Sequence, residues 1–382
     1  MINVIVLTPW YPSINNPGYG IFVREQTKAL VENTDVIPSV LFYDASSNFS
    51  LRNLIKLFKN KTSINEFDNF KVYNQKGIHL PLKLSISRKI WIYKHVKMFK
   101  MYLKDNKTPA IIHAHTYWGG LIALEIKKRY GIPYIVTEHS SSLVSTVNIR
   151  NLKIISRVYD EAEHLIAVGA SLANVMVGLT DTPIEIIPNS INTSFFKPES
   201  IEKTCEEIVI SIIGGLIPIK QINLAIKSIY IIHNQGFNIF LNIIGEGPIR
   251  KELEDLILNY DATNYIKILG YKNRNEVKQI LNESDLYLHT SKHETFGIVL
   301  IEAMSMGLPV VSTKSGGPEY FVTEDVGIII ASNTPEAIAE GIRSVIENKD
   351  QYISENIRKY VVNNFSDDVI SERIIKLYNS IV

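Results

Sequence analysis

Two glutamates, Glu294 and Glu302, stand eight positions apart in SKHETFGIVLIEAMSMGLPVVSTKSGGPEY, residues 291–320. Between them an apolar segment opens at Gly297; it closes at Gly307, with Pro309 just beyond. Good helix formers between those punctuating residues predict a short, mostly buried helix. The first turn of such a helix presents unpaired N–H groups and a partial positive charge, a setting that suits phosphate. Glycine at 297 lets a ligand come close to the backbone. A carboxylate inside an apolar helix, as Glu302 would be, must find donors or have its pKa raised. Sugar hydroxyls are such donors, and a diphosphate suits the helix end, so the pair describes a sugar-nucleotide site. The same spacing also fits a purely structural arrangement, with Glu302 salt-bridged to a core arginine and Glu294 capping the helix.

The elements that must position these groups are legible as short β-branched runs alternating with helical stretches. Strands are expected near 3–9, 36–43, 110–115, 134–139, 164–169 and 184–189. A second series follows near 208–215, 239–245, 265–271, 285–290 and 309–313. Nearly continuous Val/Ile/Leu runs fit parallel strands buried on both faces, with helices as crossovers. The fold class is therefore α/β: a doubly wound unit over 1–190, a linker over 191–207 and a second unit over 208–365. A last helix over 366–382 is expected to cross back to the first unit. Two such units suggest a ligand cleft between them. Ligands of open α/β sheets bind beyond the carboxyl ends of the strands. Those ends carry Gly18 and Gly20, His113 and His115, Glu138 and His139, and Gly214 and Gly215 followed by Lys220.

Composition narrows the function classes. The chain has 382 residues, 46% hydrophobic and 21% charged, which allows a full core and argues against disorder. No apolar run reaches the roughly 20 residues of a spanning helix. The start lacks a basic region before its apolar stretch, so no signal peptide is expected. The single cysteine, Cys205, cannot form an internal disulfide and fits a reducing cytoplasm. Residues 1–190 hold 22 Lys and Arg against 14 Asp and Glu, a balance of +8; residues 191–382 hold 18 against 25, or −7. This asymmetry fits a first half that faces something anionic, though a mixed solvated surface would read the same. Residues 88–107 predict a helix with Lys97, Lys100, Lys104 and Lys107 on one face, and Trp91, Met98 and Tyr102 on another. Such a helix, with the basic stretch 52–61, could rest on an anionic membrane. No nucleic-acid partner is expected.

HETFGIVLIEAMSMGLPVV followed by SGGPEY resembles the donor-site signature of glycosyltransferase family 4, retaining and metal-independent enzymes of the GT-B fold. PNSINTSFFKP (188–198), IGGLIPIKQ (213–221), IIGEGPIRKELEDL (243–256), ILGYKNRNEV (268–277) and SDLYLHTSKHETFG (284–297) extend the likeness in order along the chain. The resemblance implies two Rossmann-like domains facing across a cleft. It implies transfer of a hexose-type sugar from a nucleotide-sugar, UDP being the usual nucleotide, to a saccharide or lipid-linked saccharide, with no cofactor and no metal. By position, Glu302 would accept from the ribose, Glu294 from the donor sugar, and the amides around Phe296, Gly297 and Ile298 would cradle sugar or phosphate. Lys220 would neutralise the diphosphate. His139 would act near the anomeric carbon, and Gly18 and Gly20 would approach the diphosphate. His115 and Glu138 are acceptor-side candidates. A bacterial surface polysaccharide or lipopolysaccharide pathway, run in the cytoplasm or at the inner face of the membrane, is the implied context.

One departure stands out. The family usually has Arg where this chain has Gly215, and Gly where it has Gln221. Lys314, Lys292 or Arg24 could replace the missing cation, which matters because stabilising the leaving charge is often the largest catalytic term. A GT-B epimerase and an inactive sugar-nucleotide-binding subunit therefore stay open as alternatives. Gly245-x-Gly247 begins like a dinucleotide fingerprint, but Arg250 occupies the third glycine position. His113 and His115, read as projecting to opposite sides of their strand, are not expected to share a metal. His289 and His293 are near enough in the chain to contact a ligand.

Overall fold

Val4, Ile5, Val6 and Leu7 are all buried, so the first strand has no solvent face. Such a strand must lie inside a sheet covered by helices on both sides. The computed structural model describes residues 1–13, 18–47, 62–78, 85–140, 143, 149–200 and 207–382. Cys205 and the basic stretch 52–61 lie outside the described residues. The chain divides into two units, Met1–Ser190 with Asp367–Val382, and Ile191–Ser366.

In the first unit, β1 (Ile2–Thr8), β2 (Val36–Ser47), β3 (Ser63–Phe67), β4 (Phe70–Ile78), β5 (Ile111–His115), β6 (Tyr134–Glu138), β7 (His164–Ala167) and β8 (Ile184–Ile186) form one sheet. Its order is β3-β4-β2-β1-β5-β6-β7-β8. Every pairing is parallel except β3 with β4. Helices α1 (Ile21–Asn33), α2 (Ser85–Asp105), α3 (Thr116–Tyr130), α4 (Ile149–Asp160) and α5 (Ala170–Val177) make the crossovers. The hairpin of β3 and β4 is not among the strands expected from hydrophobic pattern, because β3 is exposed along its length. Its signal is the turn: Asp68 and Asn69 both adopt positive φ, the conformation that tight two-residue hairpins need.

In the second unit, β9 (Ile208–Ile213), β10 (Ile239–Ile244), β11 (Ile266–Gly270), β12 (Leu286–His289), β13 (Val310–Thr313) and β14 (Gly327–Ile330) form an all-parallel sheet in the order β11-β10-β9-β12-β13-β14. The order reverses between β9 and β12, the crevice where open α/β sheets take ligands. Helices α6 (Ile222–Asn234), α7 (Arg250–Asn259), α8 (Arg274–Glu283), α9 (Ile298–Ser305), α10 (Pro335–Glu347) and α11 (Ser354–Phe365) complete it. Ile210, Ile226, Ile229, Leu241, Leu286, Val311 and Ile342 belong to one buried cluster between sheet and helices. Local sequence sets the helix starts. Asn273 caps α8 reciprocally with Glu276, and the Thr334 side chain accepts from Ala337 N–H at the start of α10.

The stretch expected as a linker is, in its described part, packed. Ile191 and Phe196 are buried. The Arg358 guanidinium donates to the carbonyls of Thr193 and Phe196 (2.8 Å each) and of Ser305 (2.7 Å), tying the stretch to α9 and α11. Residues 201–206 lie outside the described residues. No helix among the described residues is long and apolar enough to cross a membrane.

The last helix, α12 (Asp367–Asn379), belongs to the first unit. Ile370, Ile374, Leu377 and Tyr378 enter the same buried cluster as Val4, Val6, Val40 and Phe42. Ile374→Ala is expected to destabilise the first unit by about 2–5 kcal/mol, the range for emptying a fully buried aliphatic site. Chemical denaturation followed by a first-unit probe measures it; an unchanged midpoint would show that α12 packs loosely.

Candidate functional site

In the second unit three loops meet beyond the carboxyl ends of β9, β12 and β13. The first leaves β9 through Gly214 and Gly215, makes one 3-10 turn over Pro218–Lys220 and enters α6 through Gln221. The second leaves β12 at His289. They are sewn together at the carbonyls of the first: Thr290 Oγ1 donates to the Lys220 carbonyl (2.9 Å) and Lys292 N–H to the Ile219 carbonyl (2.8 Å). The third, after β13, joins when Glu294 N–H donates to the Ser315 carbonyl (2.9 Å). It is folded on itself by the Glu319 carboxylate, whose oxygens accept from Gly316 N–H at 2.9 and 2.8 Å.

This sewing brings two of the expected residues together. Lys220 Nζ donates to Glu294 Oε2 at 2.6 Å, although 74 positions separate them. Burial works to raise the Glu294 carboxyl. The opposing pull of Lys220, of His289 and of hydrogen bonds from Lys220 and the Thr295 amide wins and holds it below the usual carboxylate value. His289 lies 3.6 Å from the same oxygen. Burial lowers the His289 imidazole to about 4, so it is neutral near pH 7. Its Nε2 has no hydrogen-bond partner, nor do the buried hydroxyls of Ser291 and Ser315. These unsatisfied polar groups surround Glu294 on both flanking loops.

Glu302 sits inside α9 with its side chain 15% exposed, and the Arg274 guanidinium lies 4.0 Å away. That arginine stacks over Phe195 and Phe196, so the structural reading of Glu302 has a real partner, at ion-pair and not hydrogen-bond distance. Gly297 is the N-cap of α9 with φ 99°, and a Cβ there would lie 2.8 Å from Leu300 Cδ1. Only glycine suits that position. The Phe296 ring points away from solvent onto Phe321 and Phe365, with centroids 5.0 and 6.0 Å apart. Phe296 can serve a ligand through its backbone only, and Ile298 stands at the first helical position. At Gly215 nothing lies within 4 Å of where a Cβ would be. Gln221 holds φ 49°, so the left-handed bend that glycine would take is kept by a residue that is strained there. Of the cations considered as replacements, Arg24 is committed to Asp68 at 2.9 Å, while Lys292 and Lys314 are exposed.

In the first unit the sheet order reverses between β1 and β5. In β5 and just past the end of β6 lies a ladder of three imidazoles. His113 donates or accepts at both nitrogens, with Tyr378 OH at 2.7 Å and Thr137 Oγ1 at 2.6 Å. Its ring stacks on His115 at 4.7 Å, and His115 Nδ1 meets His139 Nε2 at 3.0 Å. The expectation that His113 and His115 face opposite sides is therefore corrected: residues two apart on a strand share a face. Phe22 covers His139, with centroids 4.6 Å apart.

Glu138 also departs from its expected role facing a ligand. It is wholly buried, and its oxygens accept from the amides of Tyr117, His139 and Ser140 and from Tyr159 OH. Burial outweighs these donors and raises its carboxyl. It ties β6 to α3 and α4 and leaves no lone pair for a ligand. Gly20 caps α1 at φ 70°, where a Cβ would strike the Trp10 carbonyl at 2.4 Å; Gly18 is exposed with open space around it. Sequence reasoning missed Phe22, Tyr378 and Thr116. Thr116 begins α3 at φ 61° with its hydroxyl buried and unpartnered, a costly conformation for a β-branched residue that only coordinates reveal. Among the described residues no group of three or more His, Cys, Asp or Glu is placed to hold a metal ion.

Two family models match the chain: Glycosyltransferase Family 4 over residues 60–195 and Glycosyl transferases group 1 over residues 194–361. One subunit of the human phosphatidylinositol N-acetylglucosaminyltransferase is 25% identical over 329 residues, 81% of this chain and 67% of that one. Across four curated relatives the aligned stretch spans 58% to 74% of the relative's own length. Among solved structures, sucrose-phosphate synthase from Thermosynechococcus elongatus superposes with a TM-score of 0.79 at 16% identity, over 100% of this chain and 99% of that one. Anabaena HepE, solved with UDP and glucose, superposes with a TM-score of 0.74 at 17% identity over the whole of both chains. These structural likenesses identify the fold as GT-B.

Removing the cation tests the Lys220–Glu294 pair. Lys220→Met leaves a largely buried carboxylate uncompensated and is expected to cost about 1–3 kcal/mol of stability at neutral pH. Because the folded-state pKa of Glu294 is depressed, the pair stabilises the fold above the ordinary carboxylate pKa and stops doing so as pH falls through the folded value. The wild-type-minus-variant difference in unfolding free energy should therefore shrink on acidification. A difference independent of pH would contradict the pairing.

Proposed function

We propose that this chain, which belongs to the family 4 type of glycosyltransferases with the GT-B fold, transfers a hexose-type sugar from a UDP-sugar to a saccharide or lipid-linked saccharide. The observation that carries the reading is the Lys220–Glu294 pair set beside the Gly297-capped start of α9, at the switch point of the second sheet. A cation and a row of helix amides suit a diphosphate; a carboxylate held ionised suits sugar hydroxyls. In this reading Glu302 takes the ribose in competition with Arg274, and Lys292 and Lys314, exposed cations on the loops after β12 and β13, offset the bare Gly215. The UDP and glucose in the HepE structure support the choice of donor class.

In this reading the bond from the anomeric carbon to the diphosphate oxygen breaks while a bond forms to an acceptor hydroxyl oxygen on the same face. Because the new bond forms on the face the diphosphate leaves, configuration is retained, and the acceptor proton passes to the departing diphosphate. Lys220 and the α9 amides meet the charge that develops on the diphosphate, where preorganised donors count most. The role of His139 near the reacting carbon is taken from the family resemblance, and its imidazole is neutral, since burial lowers it to about 3. A second reading, a nucleotide-sugar-binding subunit without transfer, is favoured by the absence of a side chain at Gly215.

The lipid-linked acceptor draws support from α2. Ile86 and Tyr93, 62% and 63% exposed, share a helical stripe with the exposed Lys89, Lys97, Lys100 and Lys104, while Trp91, Met98 and Tyr102 turn into the core. Apolar and cationic groups on one outward stripe suit an anionic bilayer surface.

Incubation with UDP-sugars and saccharide or lipid-linked acceptors, with product anomers assigned by NMR, tests the transfer. Glu302→Ala should weaken UDP roughly 10- to 150-fold, since a hydrogen bond to a charged group contributes about 1.5–3 kcal/mol. Glu294→Gln should spare UDP binding and lower turnover. Wild-type protein that binds UDP-sugars but never yields product would favour the subunit reading, and an inverted anomer would refute retention. Separately, changing Lys97, Lys100 and Lys104 together to serine should weaken binding to anionic vesicles by about two orders of magnitude, at ~1 kcal/mol per lysine. Equal sedimentation of variant and wild type with vesicles would remove α2 from the membrane reading.

A further inference from the structure

The imidazole ladder of the first unit contains a hydrogen bond whose consequence reaches beyond packing. Burial lowers His139 and His113 to about 3 and His115 well below the ordinary imidazole value, so all three rings are neutral at physiological pH. A neutral imidazole carries one N–H and one bare nitrogen. The 3.0 Å contact between His115 Nδ1 and His139 Nε2 therefore holds one shared proton. Whichever ring owns it, the remaining nitrogen of His139 takes a defined character: a bare acceptor if His139 donates, an N–H donor if His115 donates. A hydrogen bond at one ring nitrogen sets the state of the other.

The geometry points to His115 as the positioning residue of His139, fixing its tautomer and its plane for the reaction. This rests on the proposed role of His139. The ring of His139 lies between Phe22, at 4.6 Å, and His115, whose plane is within 19° of its own. His115 is in turn held within 16° of His113. His113 cannot rotate without breaking its bonds to Thr137 and to Tyr378 on α12. The register of β5 and β6 sets His115 beside Thr137, two residues before His139, so the contact is built by the sheet. A reactive side chain gains most when such support locks its rotamer and tautomer.

The test compares His115→Phe, which keeps a flat ring in the stack and loses Nδ1, with His115→Asn, which returns a polar atom near Nδ1 without the ring. Long-range 1H–15N spectra of the histidines report the His139 tautomer, and steady-state kinetics report kcat and donor KM. The expected result is one dominant His139 tautomer in wild type and in His115→Asn, and a mixture in His115→Phe. His115→Phe should lose at least tenfold in kcat with donor KM unchanged, and His115→Asn should recover most of it. The inference is overturned if His115→Phe keeps the wild-type tautomer, if it keeps wild-type kcat, or if both variants lose kcat equally, which would mark a packing role. A fully active His139→Ala would instead refute the role given to His139, and wild type silent toward every donor would refute transfer. The tautomer spectra judge the His115 contact in either case.

Discussion

A strand buried on both faces leaves room for chemistry only at its ends. That constraint governs this protein. Nearly every side chain along β1, β5, β6, β9 and β12 is spent on packing, so the polar and ionisable groups gather where the strands stop. The reversal of strand order in each sheet marks the place where ligands of open α/β sheets bind. The loops after β9 and β12 carry Lys220 and Glu294; the carboxyl-terminal halves of β5 and β6 carry His113, His115 and Glu138, with His139 just past β6. Position in the sheet, more than closeness in the chain, decides which polar groups meet.

Two buried carboxylates show how differently such groups are accommodated. Glu138 is satisfied by neutral donors alone, three amides and a phenol, and its carboxyl stays above the ordinary value because burial dominates. Glu294 has a cation at 2.6 Å, and its carboxyl falls below that value despite burial. Hydrogen bonds from neutral groups can satisfy a carboxylate's geometry without matching what a full opposing charge does for its ionised form. The first arrangement suits an internal tie between elements. The second holds an ionised pair between two loops instead of inside the sheet.

Two non-glycine residues in the left-handed region lie in the same places, while Asp68, Asn69 and Asp261 sit in turns elsewhere. Thr116 and Gln221 hold positive φ although neither is glycine, and each follows a strand at its sheet's switch point. Conformations of this kind persist only where the surroundings over-determine them. At Gln221 the surroundings are the 3-10 turn that sets Lys220 and the capped start of α6. At Thr116 they are the end of β5 and the Glu138 carboxylate, which holds the next amide in place.

The α/β class, the two largely parallel sheets, the short helix opening at Gly297 and the family likeness are all legible in the chain. These follow from local pattern: apolar runs, glycine and proline punctuation, and motifs kept in order. The hairpin of β3 and β4 is hidden there, because β3 has no buried face to impress a pattern, and so is β14. The fate of single polar residues was equally hidden. Glu138 and Glu294 look alike in the chain, each at a strand end beside polar neighbours, and only tertiary structure made one an internal tie and the other a partner of Lys220. His113 and His115 stack on one face of β5, and Tyr378 joins His113 from 265 positions away. Burial and long-range pairing set the electrostatics of such groups, and both come into being only when distant segments are brought together.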